Sequence, residues 1–252
     1  MVPQPSSENA PYSKSSSDSP GIVSPLEFVY LTLFPEKFDS FFSASLIGKA
    51  RERGLVRFQP VQIRDFAQDR HRTVDDTPYG GGEGMLMKPD VLLSAWNSAR
   101  QGAPERTRTL LLSPQGRLFT QSMARELSTY SRLILICGHY EGLDERFIER
   151  CVDEEVSIGD YVLTGGELPA MVLTDAITRL IPGVVGNERS ITEDSLERGL
   201  LKYPQYTRPR EFMNKAVPEV LLSGNHGEIE LWRRAQSIER TERKRPDLLT
   251  KP

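Results

Sequence analysis

Four glycines in five positions, Gly80, Gly81, Gly82 and Gly84, stand out among the residues of this chain that could do chemistry. Glycine lets the backbone approach a ligand closely or take left-handed conformations, so Thr73–Met85 is a candidate ligand loop, with Asp75, Asp76 and Tyr79 as its polar and stacking groups. It is not a phosphate loop, because no Lys-Ser/Thr pair follows and Met85 holds the place of the last glycine of a dinucleotide fingerprint. A flexible surface loop without a ligand fits the same residues.

Three further segments carry glycine among polar residues: Leu111–Arg117, Cys137–Arg146 and Ser157–Gly166. Each follows an apolar strand and precedes a helix, which puts each at a strand's C-terminal end, the edge where open α/β sheets bind ligands. Together they predict a pocket. Singly each is an ordinary strand-to-helix turn in which glycine serves tight geometry.

The elements that must position these loops follow from periodicity. Short apolar, β-branched runs at Phe28–Phe34, Val56–Ile63, Arg108–Leu112, Leu133–Cys137 and, more weakly, Glu155–Ile158 predict buried strands. Helix-like stretches fill the gaps at Lys37–Arg53, Pro89–Ala99, Ser122–Thr129 and Asp144–Cys151. Alternation of this kind implies an α/β fold with a mostly parallel sheet covered on both faces. Glu167–Ile181 is the clearest helix: Leu168, Met171, Val172, Ala176, Ile177, Leu180 and Ile181 recur at helical spacing, and Pro182-Gly183 stops it. Asp175 and Arg179 fall off that stripe at a spacing that permits an i,i+4 ion pair. Beyond a polar linker the chain reads as short helices with a loop at Leu221–His226.

Composition bounds the class. At 38% hydrophobic and 27% charged residues over 252 positions, the chain is an ordinary globular one with enough length for a self-sufficient core, and no stretch approaches a membrane span. Met1–Leu26 is rich in Ser and Pro, lacks a signal-peptide pattern and reads as a disordered tail. Cys137 and Cys151 make neither a disulfide framework nor a metal set, and suit reduced structural thiols in the cytoplasm. The formal net charge of −3 argues mildly against a nucleic-acid partner. Its distribution argues otherwise: Arg233, Arg234, Arg240, Arg243, Lys244, Arg245 and Lys251 crowd the C-terminus, and Arg64, Arg70, His71 and Arg72 form a second cluster. Either cluster alone also fits a solvated helix face.

In combination these residues are specific. The strings RDFAQDRHRTVDDTPYGGGEGM, LLSPQGR, CGHYEGLDERF, SIGDYVLTGGELPAM, RLIPGVVG, TEDS, YPQYTRP and LLSGNH, in this order from about Phe28 to Leu249, closely resemble the bacterial tRNA (guanine-N1)-methyltransferases. The resemblance implies a deep trefoil-knot α/β methyltransferase domain over 27–185, an interdomain linker over 186–196 and a small helical tRNA-binding domain over 197–252, with 1–26 outside. It implies S-adenosylmethionine held by Ser113, Pro114, Gln115 and Gly116; by Gly138, Tyr140, Glu141 and Gly142; and by Ser157, Ile158, Gly159, Asp160, Tyr161, Val162, Leu163, Gly165 and Gly166.

By the same resemblance the active site lies at the interface of a homodimer, Asp194 is the general base and Arg179 hydrogen-bonds guanine O6. Substrate contacts would come from Asp75, Tyr79, Gly84, Arg208, Asn225 and His226, the target being the guanine immediately 3′ of the anticodon. Magnesium dependence belongs to the family, but no carboxylate cluster here reads as a dedicated site, and no protein metal ligands are assigned. Without the resemblance, Asp194 is a linker or helix-capping carboxylate and Arg179 half of a surface ion pair.

Three positions depart from the family's common pattern: His139 where Arg is frequent, Glu83 where Pro or a small residue is frequent, and Lys202 where an acidic residue is frequent. None of them is Asp194 or Arg179. The competing readings are a knotted enzyme for another base or a ribose hydroxyl, a non-catalytic RNA binder, and a Rossmann methyltransferase for small molecules. The last gains from Gly80-x-Gly82-x-Gly84 but loses because Pro78 and polar residues, rather than an apolar strand, precede it.

Overall fold

The computed structural model describes residues 24–186, 195–196 and 199–249. Five parallel strands form the central sheet: β1 (Leu26–Thr32), β2 (Val56–Gln62), β5 (Thr107–Leu118), β6 (Arg132–Cys137) and β7 (Glu154–Ser157), in the order β2-β1-β6-β5-β7. Strand alternation supplies a core on each face. Phe28, Tyr30, Leu133 and Leu135 point to one side with Met123, Leu127, Leu173 and Ile177; Val29, Leu31, Ile134 and Ile136 point to the other with Val91, Leu92, Phe147 and Cys151. Helices α3 (Pro89–Arg100) and α5 (Glu145–Cys151) cover the second face, while α1 (Asp39–Ser43), α2 (Ser45–Glu52), α4 (Gln121–Leu127) and α6 (Glu167–Thr178) cover the first. Both cysteines are buried free thiols.

Several boundaries differ from the sequence reading, each for a physical reason. Leu26, assigned to the tail, is buried and opens β1 against Val56; residues 1–23 lie outside the described part. The single helix expected over Lys37–Arg53 is a 3-10 turn and two helices, broken at extended Ala44 and left-handed Ser45. The break brings Phe42 flat against Phe58, with ring centroids 4.5 Å apart, and Phe38 against Tyr30. The stripe expected to bury Glu167–Ile181 is partly inverted: Glu167, Ala170, Leu173, Thr174, Ile177 and Thr178 face inward, whereas Leu168 (60% exposed) and Val172 (45%) face outward. A helix apolar all round leaves the choice of inner face to packing.

The glycine run hangs from a hairpin the sequence did not reveal, β3 (Asp75–Asp76) with β4 (Leu86–Met87), two residues each. Toward the C-terminus, short helices were expected. The chain instead makes a second hairpin, β8 (Glu211–Phe212) and β9 (Lys215–Ala216), then one helix of 19 residues, α7 (His226–Lys244). The hairpin turns through Met213 and Asn214, both left-handed, as a two-residue turn requires.

β5 also runs further than expected. Pairing to β7 stops at Leu112, skips residues 113–116 and resumes at Arg117, with Leu112 and Arg117 both opposite Val156. At the crossing Gly116 lies on the β7 backbone: a Cβ there would sit 2.3 Å from Glu155 C and Val156 N. Neither neighbour can swing aside as a side chain can. Gly116→Ala should therefore cost about 3 kcal/mol or more and lower the melting temperature by several degrees, whereas Gly186→Ala, with open space around it, leaves thermal melts unchanged. Equal melting of the two variants contradicts the crossing.

Candidate active site

The C-terminal ends of β5, β6 and β7 open into one cleft of about 520 Å³, within the range of small-molecule sites. Three walls come from the predicted loops. Ser113, Pro114 and Gln115 leave β5; Gly138, Tyr140, Glu141 and Gly142 leave β6; Ser157, Ile158 and Gly159 leave β7 and continue through Tyr161, Val162, Leu163, Gly165 and Gly166. Two residues expected in this set do not line the cleft. Gly116 is spent on the β7 crossing, and Asp160 stands exposed at the tip of its turn.

The backbone itself forms much of the wall. A Cβ on Gly166 would stand 2.6 Å from Cys137 Cα, and one on Gly165 would stand 2.2 Å from the His139 ring. Tyr140 adopts a left-handed φ of 59°, which costs an ordinary residue on the order of 1 kcal/mol. The charged lining is acidic, Glu141, Glu145 and Glu155, with no Lys or Arg among the lining residues. Leu86, Leu111, Leu112, Leu143, Ile148, Val156 and Pro169 supply an apolar floor.

The glycine hairpin is tied to this cleft. Glu141 N–H donates to the Met85 carbonyl (3.0 Å), Met87 N–H to Gly142 (2.9 Å) and Asp144 N–H to Met87 (3.2 Å). Gly84, at φ 85°, lies against the Glu141 side chain, where a Cβ would come within 2.4 Å of Cγ. Tyr79 is 99% exposed at the hairpin end, and Asp75 is half-buried in β3. The structure thus joins Gly84 to the cleft-lining loop at Glu141 and leaves Tyr79 reaching outward.

Beneath the cleft lies a charged group the sequence reading missed. Glu167, 2% exposed, is the first residue of α6. It accepts from Thr32 Oγ1 (2.7 Å), lies 2.8 and 3.0 Å from His139 Nε2, and meets Lys37 Nζ at 3.4 Å. Burial pushes its carboxyl pKa up, but the hydrogen bonds from Thr32 and His139 outweigh burial and leave it lowered. The signal available in the sequence was an acidic residue opening an otherwise apolar helix. Cys137, beside this group, has its thiol pushed well up by burial and by Glu167.

The remaining expected residues are scattered. Arg179 is the C-cap of α6, half-buried, its N–H bonded to the Asp175 carbonyl. Arg208 is exposed; Asn225 caps α7 by accepting from Glu228 N–H, and His226 opens that helix. Asp194 lies outside the described residues. Among the described residues no group of three or more His, Cys, Asp or Glu is placed to hold a metal ion, and no helix is long and apolar enough to cross a membrane.

Comparison with known proteins supplies the context. A family model described as tRNA (Guanine-1)-methyltransferase TrmD matches residues 26–251. The protein called tRNA (guanine-N(1)-)-methyltransferase in Ruminiclostridium cellulolyticum is 53% identical over 226 residues, covering 90% of this chain and 97% of the relative. Those of the same name in Dehalococcoides mccartyi and Staphylococcus haemolyticus are 55% identical over 221 residues and 54% over 220, covering 88% and 87% of this chain and 89% of each relative.

Glu167 fixes a pH dependence. A carboxylate whose folded pKa is lowered contributes stability above its unfolded value, and that contribution is lost as pH falls through the folded value. The gap in melting temperature between the wild type and Glu167→Gln should therefore be larger at about pH 5 than at about pH 3, shrinking as pH falls below about 4.3. Thermal melts across pH 7 to 3 check this; a gap indifferent to acid removes the charged carboxylate from the account.

Proposed function

Because this chain belongs to the tRNA (guanine-N1)-methyltransferase family, we propose that it methylates N1 of the guanine immediately 3′ of the anticodon with S-adenosylmethionine as donor. The observation that carries the choice of cofactor is the charge of the cleft. Three carboxylates and no Lys or Arg line it, so it attracts a sulfonium and an ammonium and repels the phosphates of a nucleotide. Glycine at 165 and 166 lets that loop press on the His139 ring and on the end of β6, which fixes the wall this ligand would meet. When bound, the cofactor supplies an electrophilic methyl group on sulfur.

The chain's own residues do the rest. Asp194 takes the proton from guanine N1. Arg179 donates to O6, where negative charge grows as that proton leaves, and so stabilises the charge as it develops and brings N1 within reach of a carboxylate base. Nucleophilic attack by N1 then needs chiefly position and alignment. The base must leave its stack to be reached; Tyr79, Asp75 and the glycine hairpin, bonded to the cleft wall through Glu141 and Gly142, hold it there.

Two further parts of the reading rest on surface character. Leu168, Val172, Asp175 and Arg179 follow one another along the outward face of α6, and an exposed apolar face continuous with a catalytic arginine favours coverage by a second copy, placing each active site between two chains. We divide the chain into a knotted catalytic region over 27–185, a linker over 186–196 and an RNA-binding region over 197–252. In the last, Arg233, Arg234, Arg240, Arg243 and Lys244 on α7, with Asn225 and His226 at its start and Arg208 in the segment before it, meet the anticodon stem and loop. A tRNA substrate sets the cytoplasm as the working compartment.

Labelled S-adenosylmethionine, incubated with a tRNA bearing guanine on both sides of the anticodon's 3′ boundary and then digested, should yield N1-methylguanine at the outer position; product at a ribose or another base contradicts the assignment. Asp194→Ala should lower turnover by about a hundredfold or more while cofactor affinity measured by calorimetry holds; retained turnover removes it as the base. The mass in solution should be that of two 28.4-kDa chains, and a mass of one chain contradicts the shared site.

A further inference from the structure

Glu167 is the one carboxylate buried among the described residues, and the proposed chemistry does not use it. Burying a carboxylate is costly unless it is paired and hydrogen-bonded, and its partners come from three segments: Thr32 at the end of β1, Lys37 in the 3-10 turn that follows, and His139 just past β6. Of these, only His139 also lines the cleft.

The His139 ring has little freedom. Phe34 meets it edge-on at 5.0 Å and 63°. Gly165 packs so closely that a Cβ would stand 2.2 Å from Cε1 and 2.5 Å from Nε2. Glu167 spans both carboxylate oxygens to Nε2, which makes Nε2 the nitrogen that carries a proton in either charge state of the ring. The charged group bonded to the ring is Glu167 from α6, which Lys37 from the 3-10 turn also meets, and the Tyr140 ring stands 6.4 Å away. The ring, carried by the Gly138–Gly142 loop, is therefore wedged against the Gly165–Gly166 loop, which joins the first directly through the Gly166 N–H bond to the Gly138 carbonyl (3.0 Å).

We propose that His139 is a positioning residue for the cofactor: held by Glu167, its ring locks the joined Gly138–Gly142 and Gly165–Gly166 loops in one arrangement before ligand arrives. The inference rests on reading the cleft as the site of S-adenosylmethionine. A preset wall spares the cost of ordering both loops on binding, so its loss appears in affinity. Chemistry at guanine N1 belongs to Asp194 and Arg179, so turnover at saturation is spared.

Calorimetric titration of full-length protein with S-adenosylmethionine, alongside steady-state kinetics on tRNA, tests this with His139→Ala, His139→Gln and Glu167→Gln. His139→Ala should raise Kd and the cofactor KM by about tenfold to a hundredfold, the penalty of a misplaced binding wall, with kcat falling far less. Glutamine offers an amide N–H near the position of Nε2, so His139→Gln should recover much of the affinity. Glu167→Gln should raise Kd in the same direction as His139→Ala, because the ring loses the carboxylate that holds it. Wild-type affinity in His139→Ala overturns the proposal, as does wild-type affinity in Glu167→Gln. A fall in kcat and affinity together with melting temperature, without rescue by His139→Gln, assigns the pair to fold stability and overturns it too. Failure of the wild type itself to bind S-adenosylmethionine sinks the cofactor reading as well, and is distinguished by needing no variant.

Discussion

Where Gly116 crosses β7, backbone touches backbone, and much of the site follows from that contact. The strand can pair with β7 on both sides of residues 113–116 only if the residue at the crossing has no side chain. The four residues thrown out by the crossing include Ser113, Pro114 and Gln115, one wall of the cleft. One carboxylate on β7 holds β5 on both sides of the excursion: Arg108 Nη2, earlier in the strand, and Arg117 Nε, just past it, each lie 2.8 Å from Glu154. A loop held on both sides and pressed on a strand presents its backbone groups in a fixed direction, which suits the cofactor site proposed for this cleft. Gly166 repeats the device on the other side, lying against the end of β6.

The same tightness explains what could be read from the chain in advance. Strand cores were legible because buried parallel strands have no polar face to confuse the pattern; β1, β2, β6 and β7 fall within two residues of their expected limits. The cleft-lining loops were legible because strand-end glycines in an α/β sheet converge on one edge. The inner face of α6 was not. Its residues are apolar on nearly every side, and period alone cannot say which side meets the sheet and which a neighbour. The inward choice is set by Glu167 and Thr174, whose partners, Thr32, His139 and Tyr30, lie more than a hundred positions away or nearly thirty along the chain.

Arg179 and Asp194 show a second limit. Neither is singled out by local chemistry: one ends a helix and the other follows Thr and Glu in a polar stretch. Their proposed roles were accessible only through the resemblance, which runs along most of the chain. Asn225 is the reverse case, since its side chain has a structural duty at the start of α7 that holds whether or not it meets a substrate. Hairpins β3–β4 and β8–β9 escaped notice because two-residue strands carry no periodicity.

A net charge of −3 is the wrong summary for a chain proposed to hold both a polyanion and a cation. Carboxylates are concentrated where the small ligand would sit, at Glu141, Glu145 and Glu155. Cations are concentrated on α7 and around the Asp69 turn, where Asp69 accepts from His71 N–H and Thr73 N–H and so holds Arg70 and Arg72 exposed. Screening confines each field to about 10 Å at ordinary ionic strength, so the two regions act almost independently. The acidic cleft can favour a sulfonium without repelling RNA from the basic helix, and neither property is visible in the sum.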